Sequence, residues 1–179
     1  MIRLSFIVPC YNVERYAQQC LDSIFACPLN EDEYEVVCID DCSPDGSYEI
    51  LKANEPDHPN LRIIRHTENK GLGGARNTGI REAKGQYLWF VDSDDFVSPE
   101  FIPEMIQLCV QNELDVLAFN YRETDENGTP TTASSVFCRT EVQNGTAFVK
   151  SIFGDSFVYH LGYVVRFLYR TDYLRENGL

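Results

Sequence analysis

Residues 87–95 read Tyr-Leu-Trp-Phe-Val-Asp-Ser-Asp-Asp, an apolar run that passes directly into three carboxylates. The apolar residues 87–91 predict a buried strand, so the carboxylates fall at the C-terminal edge, where open α/β sheets bind ligands. Carboxylates this close together repel one another unless a cation lies between them. Oxygen ligands of this kind favour Mg²⁺ or Mn²⁺, and Mg²⁺ usually shares its coordination with substrate phosphates.

Strands and helices alternate on both sides of this stretch. Four βα units in a row predict an α/β fold with a doubly wound, mostly parallel twisted sheet flanked by helices. We expect Pro9 to end the first strand, residues 69–74 to form a glycine-rich turn, and Gly85 to terminate the third helix. The first helix is expected from residue 13 onward. Strands are predicted over residues 4–8, 34–39, 61–65, 87–91 and 115–120.

After residue 121 the pattern weakens, although residues 144–153 and 171–177 still predict helices and residues 162–169 a strand. We therefore divide the chain into residues 1–120 and residues 121–179, as two parts of the same domain. The length of 179 residues fits one domain with its own core.

Composition excludes several classes of protein. A net charge of −13 argues against nucleic-acid binding, which needs clustered Lys and Arg. Seven cysteines without metal-ligand spacing predict a reducing compartment and no disulfide framework, so the Asn127 and Asn144 sequons are read as tight turns. Neither a signal peptide nor an apolar run of about 18 residues is present. We expect a cytoplasmic protein, with peripheral association at the inner face of the membrane left open.

Two acidic motifs follow predicted strands. In an extended segment, Asp92 and Asp94 would point the same way and address one ligand, while Ser93 points away. The alternative is a solvated turn. Asp41 ends the second strand, where its carboxylate could accept hydrogen bonds from a base or a sugar, or could instead form an Asx turn or cap the next helix.

Two further segments could contact a nucleotide. Residues 9–12 (Pro-Cys-Tyr-Asn) could frame a flat heterocycle, or Asn12 could simply cap the first helix. Residues 69–77 place glycines, Lys70 and Arg76 at a helix N-terminus, which can hold phosphate, but they match neither a Rossmann fingerprint nor a P-loop. The three histidines (His58, His66 and His160) are scattered and are assigned by default to surface or structural positions.

In order and spacing these segments resemble the family 2 glycosyltransferases, which have the GT-A fold. Residues 9–12 resemble the family's P-x-Y-N segment, and residues 40–47 its D-D-G-S-x-D-x-S segment, with Cys42 in place of the usual glycine. Residues 69–79 resemble its N-x-G-x-x-x-A-R-N-x-G segment, and residues 92–95 its D-x-D segment. Residues 165–170 more loosely resemble a W-N-K-L-Y-R stretch.

The resemblance implies an inverting transfer of a sugar from a nucleotide-diphosphate donor, with a UDP-sugar favoured, to a glycan or lipid-linked acceptor in cell-surface polysaccharide synthesis. The resemblance makes residues 1–120 a donor-binding domain and residues 121–179 the start of an acceptor-side subregion of the same domain. By position, Pro9, Tyr11 and Asp41 would frame the base. Asp92 would hold the ribose, and Asp94 would bind a divalent cation, Mn²⁺ or Mg²⁺, with Asp92 beside it. The implied donor-site residues are Pro9, Tyr11, Asn12, Glu14, Asp41, Lys70, Arg76, Asp92, Ser93 and Asp94.

The general base that deprotonates the acceptor hydroxyl is not identified. The resemblance places it on an Asp beyond Leu179, so we expect a truncated chain that binds donor better than it transfers sugar. Two alternatives are a non-catalytic nucleotide-sugar-binding module and a sugar-phosphate nucleotidyltransferase. The second is disfavoured because residues 9–12 stand where that family has a glycine-rich loop.

Overall fold

The protein is described by a computed structural model, which covers residues 1–120 and 164–178 together with positions 123–125, 129, 131, 142, 144 and 145. Short 3-10 turns lie at Pro99–Phe101 and Val164–Arg166. The regular elements are β1 (Leu4–Cys10), α1 (Ala17–Phe25), β2 (Tyr34–Asp40), α2 (Ser47–Asn54), β3 (Leu61–Arg65), α3 (Gly71–Glu82), β4 (Tyr87–Phe90), α4 (Ile102–Gln111), β5 (Val116–Ala118), β6 (Phe167–Arg170) and α5 (Thr171–Glu176).

The strands form one sheet in the order β3-β2-β1-β4-β6-β5. Strands β1 to β4 are mutually parallel where they pair, and β6 runs antiparallel to β4. The predicted mostly parallel sheet flanked by helices is therefore confirmed. The strand order reverses between β1 and β4, which leaves a crevice at their carboxyl ends, the usual ligand site of such sheets.

Contacts between residues divide the chain into two compact units. The first comprises Met1–Leu117 and Leu168–Leu179, and the second comprises Ala118–Phe167. The first unit contains the four parallel strands and the elements that cover them. The assignment of residues 1–120 to donor binding and residues 121–179 to an acceptor side stays a prediction.

The core is built on fully buried strands. Every residue of β1 and β2 is buried, as a sheet covered on both faces requires. Helix α1 buries one apolar stripe, which includes Leu21 and Ile24. Within the sheet, the Phe6 ring meets Tyr34 edge-on at 5.9 Å between centroids and Trp89 at 5.7 Å.

Strand β1 does not end before Pro9, as expected, but continues to Cys10. The carbonyl of Cys10 accepts from Asp41 N–H on the β2 side, and that of Ile7 accepts from Val91 N–H on the β4 side. The N–H and C=O groups of successive residues point to opposite sides of a strand, so the nitrogen of Pro9 faces the β4 side. The pairing of β1 with β4 stops at Ile7. The missing N–H of Pro9 therefore costs no ladder hydrogen bond.

The glycine-rich segment is helical from Gly71, not a turn over residues 69–74. Its start is stabilised because the Asn69 side-chain oxygen accepts the Gly71 N–H at 2.9 Å, and because Asp41 accepts the Lys70 N–H. Gly85 does not cap this helix, which ends at Glu82. Glycine is required at position 85 because a Cβ there would lie 2.6 Å from the Ser5 backbone nitrogen.

Other expectations shift at their boundaries. Helix α1 begins at Ala17 rather than residue 13, and Asn12, at φ 56°, is not its N-cap. Within the described part of the predicted strand 162–169, a 3-10 turn precedes β6. The predicted helix 171–177 is confirmed as α5. The predicted helix 144–153 and the two sequon turns lie largely outside the described residues.

Candidate functional site

The loops after β1 and β2 are joined by hydrogen bonds at the carboxyl edge of the sheet. Glu14, one of the predicted site residues, accepts the N–H of Gly46 at 2.8 Å, at the start of α2. Its carboxylate therefore connects the two loops in this structure. The bonds that run the other way are Asn12 N–H to Ser43 Oγ (3.3 Å), Val13 N–H to Ser47 Oγ (2.8 Å) and Glu14 N–H to Asp45 Oδ2 (3.0 Å).

Two of the predicted base-framing residues lie on β1 and just beyond it. Pro9 is buried within β1, and its Cα register partner is Ile39 of β2. Tyr11 follows the strand with its side chain 49% exposed. An exposed aromatic ring beside the crevice is available to stack on a flat ligand.

Asp41 lies at the end of β2, where the sequence placed it, but it is buried, at 2% exposure. Its two carboxylate oxygens share the Lys70 N–H at 2.9 and 3.1 Å, and His66 Nδ1 lies 2.5 Å from Oδ1. Sequence reasoning missed the contact with His66. A signal was present, because His66 directly follows β3 and the carboxyl ends of neighbouring parallel strands meet at one edge.

The acidic segment after β4 is a turn, and the expected extended geometry is wrong. Asp95 N–H donates to Asp92 C=O at 2.9 Å, so Asp92 and Asp94 are not on one face of a strand. Ser93 is buried beneath the turn, and Asp94 and Asp95 are exposed. Pairing of β4 with β1 ends where Val91 N–H donates to Ile7 C=O, so this ladder does not keep the following residues extended.

Arg76 of α3 reaches the acidic turn. Its guanidinium Nη2 lies 2.7 Å from Asp92 Oδ1, and its centre lies 5.9 Å from the Phe90 ring centroid. The Arg76 Nε is buried and has no hydrogen-bond partner among the residues that the structure describes. The structure thus brings Arg76 to Asp92, and the backbone of Lys70 to Asp41.

The turn carries uncompensated negative charge. Partial desolvation of its carboxyl group by neighbouring atoms, and then the charges of Asp94 and Asp92, raise the pKa of Asp95. Among the described residues, Asp92 alone of the three carboxylates has a cationic partner. Crowded carboxylates of this kind fit a divalent cation. Within the described ranges, no group of three or more His, Cys, Asp or Glu side chains forms a metal site by itself. Asp94 and Asp92 would therefore hold a cation together with ligand oxygens.

The cysteines of the described part are free thiols. Cys10, Cys20, Cys27, Cys38 and Cys109 are buried, and Cys42 is partly exposed. Burial raises the pKa of Cys109 to about 12, so its thiol stays protonated at neutral pH. In the described part of the chain, no helix has the length and apolar character needed to span a membrane.

Comparison with known proteins confirms what the fold and the acidic turn indicate, a glycosyltransferase of the GT-A fold class. The glycosyl transferase family 2 profile matches residues 5–177. The chain belongs to glycosyl transferase family 2.

Individual relatives agree with the family. The glycosyltransferase EpsJ of Bacillus subtilis, whose activity is uncharacterized, is 33% identical over 98% of this chain and 50% of its own length. The crystal structure of Staphylococcus aureus TarS in complex with UDP superposes with a TM-score of 0.80 at 29% identity, over 99% of this chain and 49% of that one. TarS was also solved with UDP-GlcNAc.

A more distant structure contains a metal. The mannosyltransferase PcManGT of Pyrobaculum calidifontis, in complex with GDP-Man and Mn²⁺, has a TM-score of 0.62 at 26% identity, over 67% of this chain and 36% of that one. The chain spans half or less of the length of the curated relatives it matches. It covers 50%, 20% and 18% of the length of three of them.

Proposed function

We propose that this chain forms the nucleotide-sugar site of an inverting glycosyltransferase that uses a UDP-sugar and acts on a glycan or lipid-linked acceptor of cell-surface polysaccharide. One observation carries the proposal: the acidic turn after β4 lies at the switch point of the sheet and is paired with Arg76. The similarity to TarS, solved with UDP and UDP-GlcNAc, supports the choice of uridine.

The donor would lie along the carboxyl edge. Tyr11, beside Pro9 and Asn12, would cover the base, and Asp41 would accept its ring N–H. Asp92, with Ser93 beneath it, would bind the ribose hydroxyls. Lys70 and Arg76 would face the diphosphate, since Arg76 Nε has no partner within the described residues.

A cation fits this site because the turn is short of positive charge. Asp94 would hold Mn²⁺ or Mg²⁺, with Asp92 beside it. The ion would stabilise the charge that develops on the leaving diphosphate. Glu14 would act at the rim by fixing the loop that carries Tyr11.

The remaining parts of the proposal follow from the donor. An inverting reaction needs a general base for the acceptor hydroxyl, and we assign none among the described residues. Residues 121–179 would begin the acceptor side. A nucleotide-sugar donor and free thiols fit a cytoplasmic location, at the inner face of the membrane where lipid-linked acceptors are held.

Calorimetric titration tests the donor site. UDP, GDP and UMP are titrated with and without Mn²⁺ into the wild-type chain and into Asp94→Asn. We expect Mn²⁺-dependent UDP binding that weakens at least about tenfold in Asp94→Asn, because a metal ligand is lost. Asp115→Asn is the control, since Asp115 pairs with Arg170 beside the first residue of β4, at the opposite edge of the sheet.

Three results would count against the proposal. Absence of any nucleotide binding by the wild-type chain would reject it. UDP binding that is independent of Mn²⁺ would reject the metal role of Asp94. Equal losses in Asp94→Asn and Asp115→Asn would show a general effect of charge. A transfer assay with a UDP-sugar then separates an enzyme from a non-catalytic binding module.

A further inference from the structure

We propose that His66 is a positioning residue that fixes the Asp41 carboxylate for recognition of the nucleotide base. The inference rests on the proposed function, because it assumes that Asp41 meets the base. His66 was not among the residues that the sequence pointed to. Its place in the structure follows from the sheet: its N–H donates to Asp40 C=O at 2.8 Å, which continues the pairing of β3 with β2 by one residue.

The ring and the carboxylate are buried together. The side chains of His66 and Asp41 are 5% and 3% exposed, and Nδ1 lies 2.5 Å from Oδ1. The Lys70 N–H also donates to this carboxylate. Asp41 as an acceptor is matched by the His66 tautomer that carries its proton on Nδ1. A buried carboxylate that accepts two donors is held in one orientation.

The two oxygens of Asp41 are not equivalent. The Lys70 N–H makes a bifurcated hydrogen bond to both oxygens. Oδ1 accepts from His66 and from Lys70 at 2.9 Å. Among the described contacts, Oδ2 accepts only the longer bond from Lys70, at 3.1 Å. The lone pairs that are left for a ligand are therefore mainly on Oδ2, and His66 decides which oxygen that is.

The other ring nitrogen fixes the ring to α3. Nε2 lies 3.0 Å from Thr78 Oγ1. The single proton of that hydroxyl can go to Nε2 or to Gly74 C=O at 3.1 Å, and the oxygen accepts from Arg81 at 2.9 Å. His66 thus connects the end of β2 with the helix that carries Arg76. The imidazole has the geometry to set the distance between the base-binding and the diphosphate-binding parts of the site.

Two substitutions separate the two contacts. The amide nitrogen of Asn reaches the place of Nδ1, so His66→Asn keeps a donor for Asp41. The amide of Gln reaches the place of Nε2, so His66→Gln keeps a partner for Thr78 and leaves Asp41 without its donor. Both variants are polar and both remove the ring, which makes each the matched control of the other.

A comparison of UDP with N3-methyl-UDP separates recognition of the base N–H from the other contacts of the nucleotide. UDP carries a ring N–H at N3, and N3-methyl-UDP does not. Binding of both to the full chain is measured by calorimetry with Mn²⁺, together with the thermal midpoint of each variant. We expect His66→Gln to weaken UDP binding about tenfold and His66→Asn to weaken it by less than about threefold. The difference corresponds to the one charge-assisted hydrogen bond to Asp41 that Gln loses and Asn keeps. N3-methyl-UDP should bind weakly and equally to all three proteins.

The outcomes are distinguishable. If both variants lower the thermal midpoint but leave UDP affinity unchanged, His66 is structural only and the inference is rejected. Equal losses for UDP and N3-methyl-UDP would show a loosened site rather than a misplaced carboxylate, and would also reject it. If the wild-type chain binds no nucleotide, the proposed function itself fails, whatever the variants do.

Discussion

The guanidinium of Arg76 lies 2.7 Å from the carboxylate of Asp92 and joins helix α3 to the acidic turn after β4. The two side chains are 21% and 31% exposed, so the ion pair is partly shielded from water. This contact brings together the glycine-rich segment and the D-x-D segment, which are separated along the chain by the end of α3 and the whole of β4.

Removal of this guanidinium should affect donor binding more than folding. We expect Arg76→Met to weaken Mn²⁺-dependent UDP binding about tenfold, because a cation next to the diphosphate is lost while the apolar stem is kept. Calorimetry measures the affinity. Arg175→Met is the control: Arg175 donates to Ile80 and Ala83 carbonyls at the end of α3, at 2.8 and 2.6 Å.

Arg175→Met should lower the thermal midpoint and leave the UDP affinity unchanged, since it acts at the far end of the helix. If Arg76→Met and Arg175→Met change affinity equally, the Arg76 contact has no specific role in donor binding.

At the acidic turn, low pH should stabilise the folded protein, which is the opposite of the usual effect of acid on a carboxylate. Partial desolvation and the charges of Asp94 and Asp92 raise the pKa of Asp95 in the folded protein. Protonation therefore favours the folded state, and this contribution, complete below the unfolded pKa of about 3.9, is lost as pH rises through the folded pKa. A bound cation offsets the repulsion only when the carboxylates are ionised.

We expect Mn²⁺ to raise the thermal midpoint more at about pH 7 than at about pH 4, where protons compete with the metal. Differential scanning fluorimetry across this range measures the difference. Asp95→Asn should flatten the pH dependence in the absence of metal. A metal-induced shift that is larger at low pH would contradict the assignment of charge at this turn.

Two glycines of α3 should respond in opposite ways to alanine. A Cβ at Gly79 would lie 2.1 Å from Ile7 Cγ2, whereas the space around a Cβ at Gly73 is open. We expect Gly79→Ala to lower the free energy of unfolding by about 1–3 kcal/mol through overpacking against β1. Gly73→Ala should raise it by up to about 1 kcal/mol through helix propensity. Urea denaturation measures both, and equal effects would contradict the packing of α3 on the sheet.

Cys42 occupies a position that favours glycine. Its φ is 62°, in the left-handed region, where an L side chain costs about 1 kcal/mol. We expect Cys42→Gly to be more stable than Cys42→Ala by about that amount, since both remove the thiol and only glycine adopts this φ freely. Chemical denaturation of the two variants gives the difference. A more stable alanine variant would show that the backbone here relaxes without strain.

Much of the fold could be read from local pattern. Short segments rich in apolar residues between turn signals predict strands, and β3 spans Leu61–Arg65 as predicted. The errors fall where a local rule met a tertiary contact. Pro9 continues β1 because its nitrogen faces the β4 side, where the pairing with β4 has already stopped. The glycines of α3 are helical because Asn69 and Asp41 accept the N–H groups at its start.

The sequence by itself determined the class of fold, the family and the four segments that meet at one edge of the sheet, because these depend on hydrophobic periodicity and on residue types at fixed spacing. Only the tertiary structure decided how the segments contact one another. The turn of Asp92–Asp95, the Arg76–Asp92 pair and the burial of His66 against Asp41 join residues that are close only after the strands align. Such contacts depend on strand order and side-chain direction, which no local pattern encodes.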